Sequence, residues 1–196
     1  MEPFATEMFT EAVLAGGGSL QPLDETTKGL LWVSPSGADQ LQATLERHPG
    51  IEWIQLPWAG VDAFAHVLET LASRDVNSRP VVTSAKGAYS EPVAEHALAL
   101  LLGTMRELPR KAREAHWQEE RTGLSLFGRH IVLLGAGGVA RAFLDLVAPL
   151  RPQVTVVRRS GGDLPGATRT VTSDQLHDVL PGADAVVVAA AATTQT

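Results

Sequence analysis

The chain has 196 residues, 44% of them hydrophobic and 19% charged, with a formal net charge of −6, enough apolar content to bury a core in one large domain or two small ones. No run of lysine or arginine is longer than a pair, which argues against a surface that neutralises nucleic-acid phosphates or anionic lipids; the expected partner is a small molecule, with no nucleic acid and no membrane. The lack of cysteine excludes disulfides, thiolate metal ligands and cysteine nucleophiles. The first ten residues carry two glutamates and no basic residue, unlike a signal peptide, and the most apolar stretch, 185–192, is far short of the roughly 18 residues of a membrane helix. A cytoplasmic protein is expected.

Along the chain, segments that read as strands alternate with segments that read as helices, the pattern of an α/β layer fold with a mainly parallel sheet. Gly16-Gly17-Gly18-Ser19 reads as a turn, and the apolar run Leu30-Leu31-Trp32-Val33 is ended by Ser34-Pro35-Ser36-Gly37. A helical stretch over 38–47 stops at His48-Pro49-Gly50. Ile51-Glu52-Trp53-Ile54-Gln55-Leu56 alternates apolar and polar positions as a half-buried strand does, and Pro57 closes it. Helical spacing returns over 61–71, and Pro80-Val81-Val82-Thr83 is a short strand candidate. Residues 1–88 thus form one small α/β domain.

A second domain, 89–196, opens at Ser90-Glu91-Pro92, where a capping hydroxyl, an acid and a proline suit the first turn of a helix. That helix is apolar on nearly every face to Met105, which predicts burial between layers or subunits. A basic continuation to Arg113 suits a helix carboxyl end, and 119–128 is a linker.

The chemistry lies further on. The buried-strand run Ile131-Val132-Leu133-Leu134 leads directly into Gly135-Ala136-Gly137-Gly138-Val139-Ala140, a G-x-G-x-x-G/A pattern between a strand and a helix. Gly135 permits the tight turn, Gly137 lets backbone approach a pyrophosphate, and Ala140 allows close contact between helix and strand. The amides near Gly138 and Val139 then face the phosphates. The following helix places Val139, Phe143 and Leu146 with Ala140, Leu144 and Val147 on one stripe, and Pro149 stops it. A plain glycine-rich turn explains this spacing less well than a dinucleotide site does.

A second strand, Val154-Thr155-Val156-Val157, ends at Arg158-Arg159-Ser160, where an NAD site would carry an acid for the ribose hydroxyl. Guanidinium forks match a 2′-phosphate, so the reading favours NADP over NAD; a solvated basic loop is the plain alternative. After a helical piece over 173–180, a third strand, Asp184-Ala185-Val186-Val187-Val188-Ala189, completes one βαβαβ half of a Rossmann domain.

With these motifs in hand, the chain resembles the D-isomer-specific 2-hydroxyacid dehydrogenases from about Gly29 onward. Ile54-Gln55-Leu56-Pro57-Trp58-Ala59-Gly60-Val61-Asp62 resembles the family's substrate-domain loop, whose amides hold a carboxylate; Ala59, Gly60 and Val61 are the implied substrate-binding residues. Lys86-Gly87 and Glu91-Pro92-Val93-Ala94-Glu95-His96 resemble the crossing into the cofactor domain, and a homodimer through the helix between Ser90 and Arg113 is the implied assembly. Leu126-Phe127-Gly128 ahead of the glycine strand is also typical. The ending resembles the family's third strand and P-L-T-x-x-T turn, with Ala191 and Ala192 in place of proline and leucine, and implies cofactor contacts at Ala190 and Thr196.

The resemblance implies a flavodoxin-like substrate domain followed by the first half of a Rossmann domain. It also implies hydride transfer between NAD(P)H and a small 2-oxo or 2-hydroxy acid such as glyoxylate or hydroxypyruvate. The arginine, histidine and acid of the family's catalytic machinery match no residue here, so no catalytic or metal-binding residue is assigned. The 196-residue fragment is expected to turn over little or not at all. A non-catalytic nucleotide-binding or dimerising remnant is the alternative.

Overall fold

A computed structural model describes residues 1–117, 119 and 121–190, and the chain divides into two units, Met1–Ala88 and Tyr89–Thr196. The first unit opens with helix α1 (Glu7–Ala15), whose first turn is capped by the Thr6 hydroxyl accepting from the Phe9 amide at 3.4 Å. The sequence pattern missed this helix because it has no apolar stripe to read: none of its residues is buried.

Strands β1 (Gly29–Leu31), β2 (Trp53–Gln55) and β3 (Val81–Thr83) form a parallel sheet in sequential order, with Leu30 beside Ile54 and Ile54 beside Val82. Helix α2 (Ala38–Arg47) follows β1. Helix α3 (Ala65–Ala72), preceded by a 3-10 turn at Asp62–Phe64, follows β2. Leu41 and Leu45 of α2 and Val67 and Leu71 of α3 enclose Leu30, Ile54 and Phe64 in one core. Trp32 is 1% exposed and its indole N–H donates to the Ser36 carbonyl at 3.1 Å, so its polar edge is satisfied where its ring is buried.

The second unit begins with α4 (Ser90–Met105), and here the structure corrects two expectations. Tyr89 holds the cap position and Ser90 is the first residue inside the helix, so Ser90 is not the capping hydroxyl. The 90–113 stretch is also not one helix. It breaks at Glu107, whose φ is 53°, before the short α5 (Leu108–Lys111). Pro109 is the cause: its ring would strike the Met105 carbonyl four residues earlier, and it has no amide to continue the ladder. Within the single chain α4 is covered on one side. Ala94, Leu101 and Met105 are covered, whereas Val93 and Leu100 are 46% and 59% exposed.

The linker is pinned to this helix pair by Leu124 N–H to the Met105 carbonyl at 2.6 Å and by Lys111 Nζ to the Thr122 carbonyl at 2.9 Å. Beyond it come β4 (His130–Leu134), α6 (Gly138–Val147), β5 (Gln153–Arg158), β6 (Arg169–Thr172), α7 (Leu176–Val179) and β7 (Ala185–Val188). The four strands are parallel in the order β6-β5-β4-β7.

Strand β6 was not anticipated, because Arg169-Thr170-Val171-Thr172 buries only Val171. The strand read as third is therefore the fourth, and it lies on the other side of β4. On one sheet face Ala140, Phe143, Leu144 and Val147 of α6 pack with Ile131, Leu133 and Val156. On the other, Val132, Val157 and Val171 pack with Val179. Leu146, expected in the α6 stripe, is 41% exposed, since it falls on the flank of a buried face that Ala140, Phe143, Leu144 and Val147 already fill. No helix among the described residues is long and apolar enough to cross a membrane.

Candidate functional site

The strand order creates the site. After β6 on one flank, the chain passes β5 and β4 and adds β7 on the opposite flank, so the direction in which strands are added reverses at β4. In open parallel sheets ligands bind at this switch point, outside the carboxyl ends of the strands. The glycine loop emerges there, between β5 and β7: the Gly135 amide donates to the Val157 carbonyl and the Ala189 amide to the Leu134 carbonyl, both at 2.8 Å.

The glycines of the loop differ in the reason each must be glycine. Gly135 has φ 111°, and a Cβ on it would lie 2.5 Å from the Ala189 carbonyl oxygen and 3.0 Å from the Ala190 nitrogen, so fold geometry by itself demands glycine. Gly138 is crowded from elsewhere, since its Cβ would meet the Ser90 hydroxyl oxygen at 2.3 Å. Gly137 is different. Its backbone is extended, with φ −79° and ψ −166°, and a Cβ there would meet nothing within 4 Å. Nothing within the described fold requires glycine at 137, whereas a phosphate lying against the backbone would. Ala140, at 0% exposure, sits in the core against the sheet.

The α6 amino terminus suits an anion. Its ladder starts with the Arg141 amide donating to the Gly137 carbonyl at 3.1 Å, which leaves the amides of Gly138, Val139 and Ala140 ahead of it. No side chain caps them and no acid lies in the first turn, so the positive end of the helix dipole is uncompensated. The loop residues present therefore fit a diphosphate.

Arg158 ends β5 one residue after Val157, the partner of Gly135, and its guanidinium donates to the Ser160 hydroxyl at 3.3 Å. Arg158 is half-buried, Arg159 and Ser160 are exposed, and neither guanidinium pairs with a carboxylate among the described residues. Ala190 is exposed beside Gly135. Thr196, with the Ala191 and Ala192 departures, lies outside the described residues.

In the first unit, Ala59, Gly60 and Val61 form the turn that follows β2 at its carboxyl end, between the Leu56 amide bonded to the Thr83 carbonyl at 2.8 Å and the 3-10 turn opened by Phe64 N–H to the Val61 carbonyl at 2.9 Å. Their three amides donate to no acceptor among the described residues. His130, at the amino-terminal end of β4, has Nδ1 2.8 Å from the Gly182 carbonyl and Nε2 2.8 Å from the Thr155 hydroxyl. At the same end the His130 amide, bonded to Asp184 at 2.9 Å, holds that carboxyl below the usual carboxylate range, with Arg129 at 3.1 Å adding to the effect. Among the described residues no group of three or more histidine, cysteine, aspartate or glutamate side chains could hold a metal ion. The residue that sequence reasoning misplaced is Ser90; the only available signal was that it and the glycine loop belong to one domain.

Solved structures similar to this chain share its fold. A D-isomer specific 2-hydroxyacid dehydrogenase family protein from Aeromonas salmonicida subsp. salmonicida A449 superposes with a TM-score of 0.72 at 22% identity, over 96% of this chain and 62% of that one. A D-isomer specific 2-hydroxyacid dehydrogenase from Xanthobacter autotrophicus Py2, solved in complex with NADPH and MES, superposes with a TM-score of 0.68 at 24% identity, over 93% and 55% of the two chains. An uncharacterised protein from the proB 3′ region of Corynebacterium melassecola is 25% identical over 185 residues, 91% of this chain and 57% of that protein. The chain thus spans less than two thirds of the length of each. Residues 97–196 match the profile of the D-isomer specific 2-hydroxyacid dehydrogenase NAD binding domain. That stretch contains the switch point and its glycine loop, and the chain accordingly belongs to the D-isomer specific 2-hydroxyacid dehydrogenases.

Proposed function

We propose that the second unit binds NADP(H) in preference to NAD(H), and that the protein of which this chain is part or whole transfers hydride to a small 2-oxo acid such as glyoxylate or hydroxypyruvate, or from the corresponding D-2-hydroxy acid. The observation that carries the dinucleotide reading is Gly137, a glycine with open space before it and no internal need to be one. In this reading the amides of Gly138, Val139 and Ala140 hold the diphosphate, and Arg158, Arg159 and Ser160 hold the 2′-phosphate. Ala190 completes the wall on the β7 side. The unpaired guanidinium groups of Arg158 and Arg159 favour the phosphorylated cofactor, since an unphosphorylated ribose calls for an acceptor instead.

Residues 1–88 serve as the substrate domain in this proposal and 89–196 as the cofactor domain. The free amides of Ala59, Gly60 and Val61 support a carboxylate-binding role, because a turn of unpaired N–H groups is an anion receptor. The bound nicotinamide supplies the hydride chemistry. None of the 196 residues matches the arginine, histidine and acid that the family resemblance implies, so the chain by itself is expected to bind nucleotide without turnover. The exposed Val93 and Leu100 on α4 support a homodimer through that helix. Parallel titrations with NADPH and NADH test the cofactor assignment: tighter NADPH binding is expected, and equal or tighter NADH binding overturns the preference.

A further inference from the structure

We propose that Ser90 is a phosphate-binding residue of the dinucleotide site, its hydroxyl supplying the side-chain donor that the glycine loop lacks. The inference rests on the dinucleotide reading above. Gly135-Ala136-Gly137-Gly138-Val139-Ala140 contains no polar side chain, so an anion there receives only backbone amides from the loop itself.

Ser90 approaches the loop from another element. It is the first residue of α4, and a Cβ built on Gly138 would fall 2.3 Å from its hydroxyl oxygen and 3.3 Å from its own Cβ. Gly138 is therefore glycine because Ser90 occupies the space beside it. This places the hydroxyl against the first residue of α6, next to amides with no capping side chain. The position is rigidly set, because Ala94 and Leu101 of α4 share a core with Ala140 and Phe143 of α6.

Ser90 is half-buried, and its hydroxyl has no hydrogen-bond partner among the described residues. That hydroxyl is therefore free to donate to a ligand. A phosphate oxygen at the α6 amides gives it a charge-assisted bond, stronger than one to a neutral acceptor. The sequence hides this role because Ser90 precedes the loop by more than forty residues and stands before a proline, where a hydroxyl reads as a cap.

The test compares the unaltered chain with Ser90→Ala in equilibrium titrations of NADPH, ADP and adenosine 2′-monophosphate, with thermal midpoints recorded for both proteins. The diphosphate of NADPH and ADP reports on the loop, and the 2′-monophosphate reports on the Arg158 end. In Ser90→Ala, NADPH and ADP should bind about tenfold more weakly, with the 2′-monophosphate affinity and the thermal midpoint unchanged. Unaltered NADPH and ADP affinities in the variant overturn the assignment while leaving the dinucleotide site in place. Equal weakening of all three ligands overturns it in favour of a merely structural role. If the unaltered chain binds none of the three, the dinucleotide reading falls and this proposal with it.

Discussion

Gly135 and Gly137, two residues apart in one loop, should respond in opposite ways to the same added methyl. At Gly135 the methyl would lie 2.5 Å from the Ala189 carbonyl oxygen and 2.8 Å from its carbon, on a backbone with φ 111°. Both obstacles are main chain, so neither can rotate away. Conformational strain of about 1–3 kcal/mol and overpacking of about 1–3 kcal/mol give a loss near 4 kcal/mol, a large part of the roughly 5–15 kcal/mol that stabilises a domain. With a urea dependence of about 2 kcal/mol/M, the unfolding midpoint of Gly135→Ala should fall by about 2 M. Gly137→Ala meets no atom within 4 Å and keeps an extended backbone. It should therefore leave the midpoint unchanged or raise stability by about 0.4–1 kcal/mol through the unfolded chain. Its cost should appear only with ligand: a methyl in the phosphate position weakens NADPH by about 1–3 kcal/mol, roughly five- to 150-fold. Urea unfolding and NADPH titration of both variants check the pair. A Gly137→Ala protein that unfolds early, or binds NADPH as the unaltered chain does, would refute the assignment of Gly137 to the cofactor, and a Gly135→Ala protein of undiminished stability would refute the steric argument.

Replacing Arg158 and Arg159 together by glutamate should weaken NADPH binding by at least about tenfold while sparing NADH, since charge-assisted bonds to the 2′-phosphate are lost and the arginines' exposure limits each to the lower end of its range. Asp184, held below the usual carboxylate range chiefly by the His130 amide and also by Arg129, should contribute stability that is fully present above about pH 4 and lost as pH falls through its lower folded-state value. Urea midpoints of the unaltered chain and Asp184→Asn should accordingly differ at neutral pH and converge in acid; a constant difference across that range refutes the linkage. Leu100→Glu, on the exposed face of α4, should convert a homodimer to monomers in light scattering at unchanged thermal midpoint, and an unaltered chain that is monomeric at high concentration rules out that assembly.

Local chemistry explains why the glycine loop was legible in the sequence. Its turn needs a positive φ at Gly135, its helix needs the Ala140, Phe143, Leu144 and Val147 stripe, and its strand needs an apolar run; each is a property of neighbouring residues. The parallel α/β class follows from the same alternation of periods. Where a segment bore little burial, the pattern was silent: α1 buries nothing and β6 buries Val171 only, so neither left a hydrophobic period to read. The break after Met105 was written in Pro109, but the basic run to Arg113 read as the carboxyl end of one continuous helix and masked the signal.

Tertiary structure decided the rest, because it depends on residues distant in the chain meeting in space. Adding β7 beside β4 rather than beyond β6 created the switch point at which the glycine loop stands. The same assembly separated three glycines that look alike in sequence, one crowded by Ala189, one by Ser90 and one facing open space. A sequence records which residues have no side chain; only the packed fold shows what occupies the place where each side chain would have been.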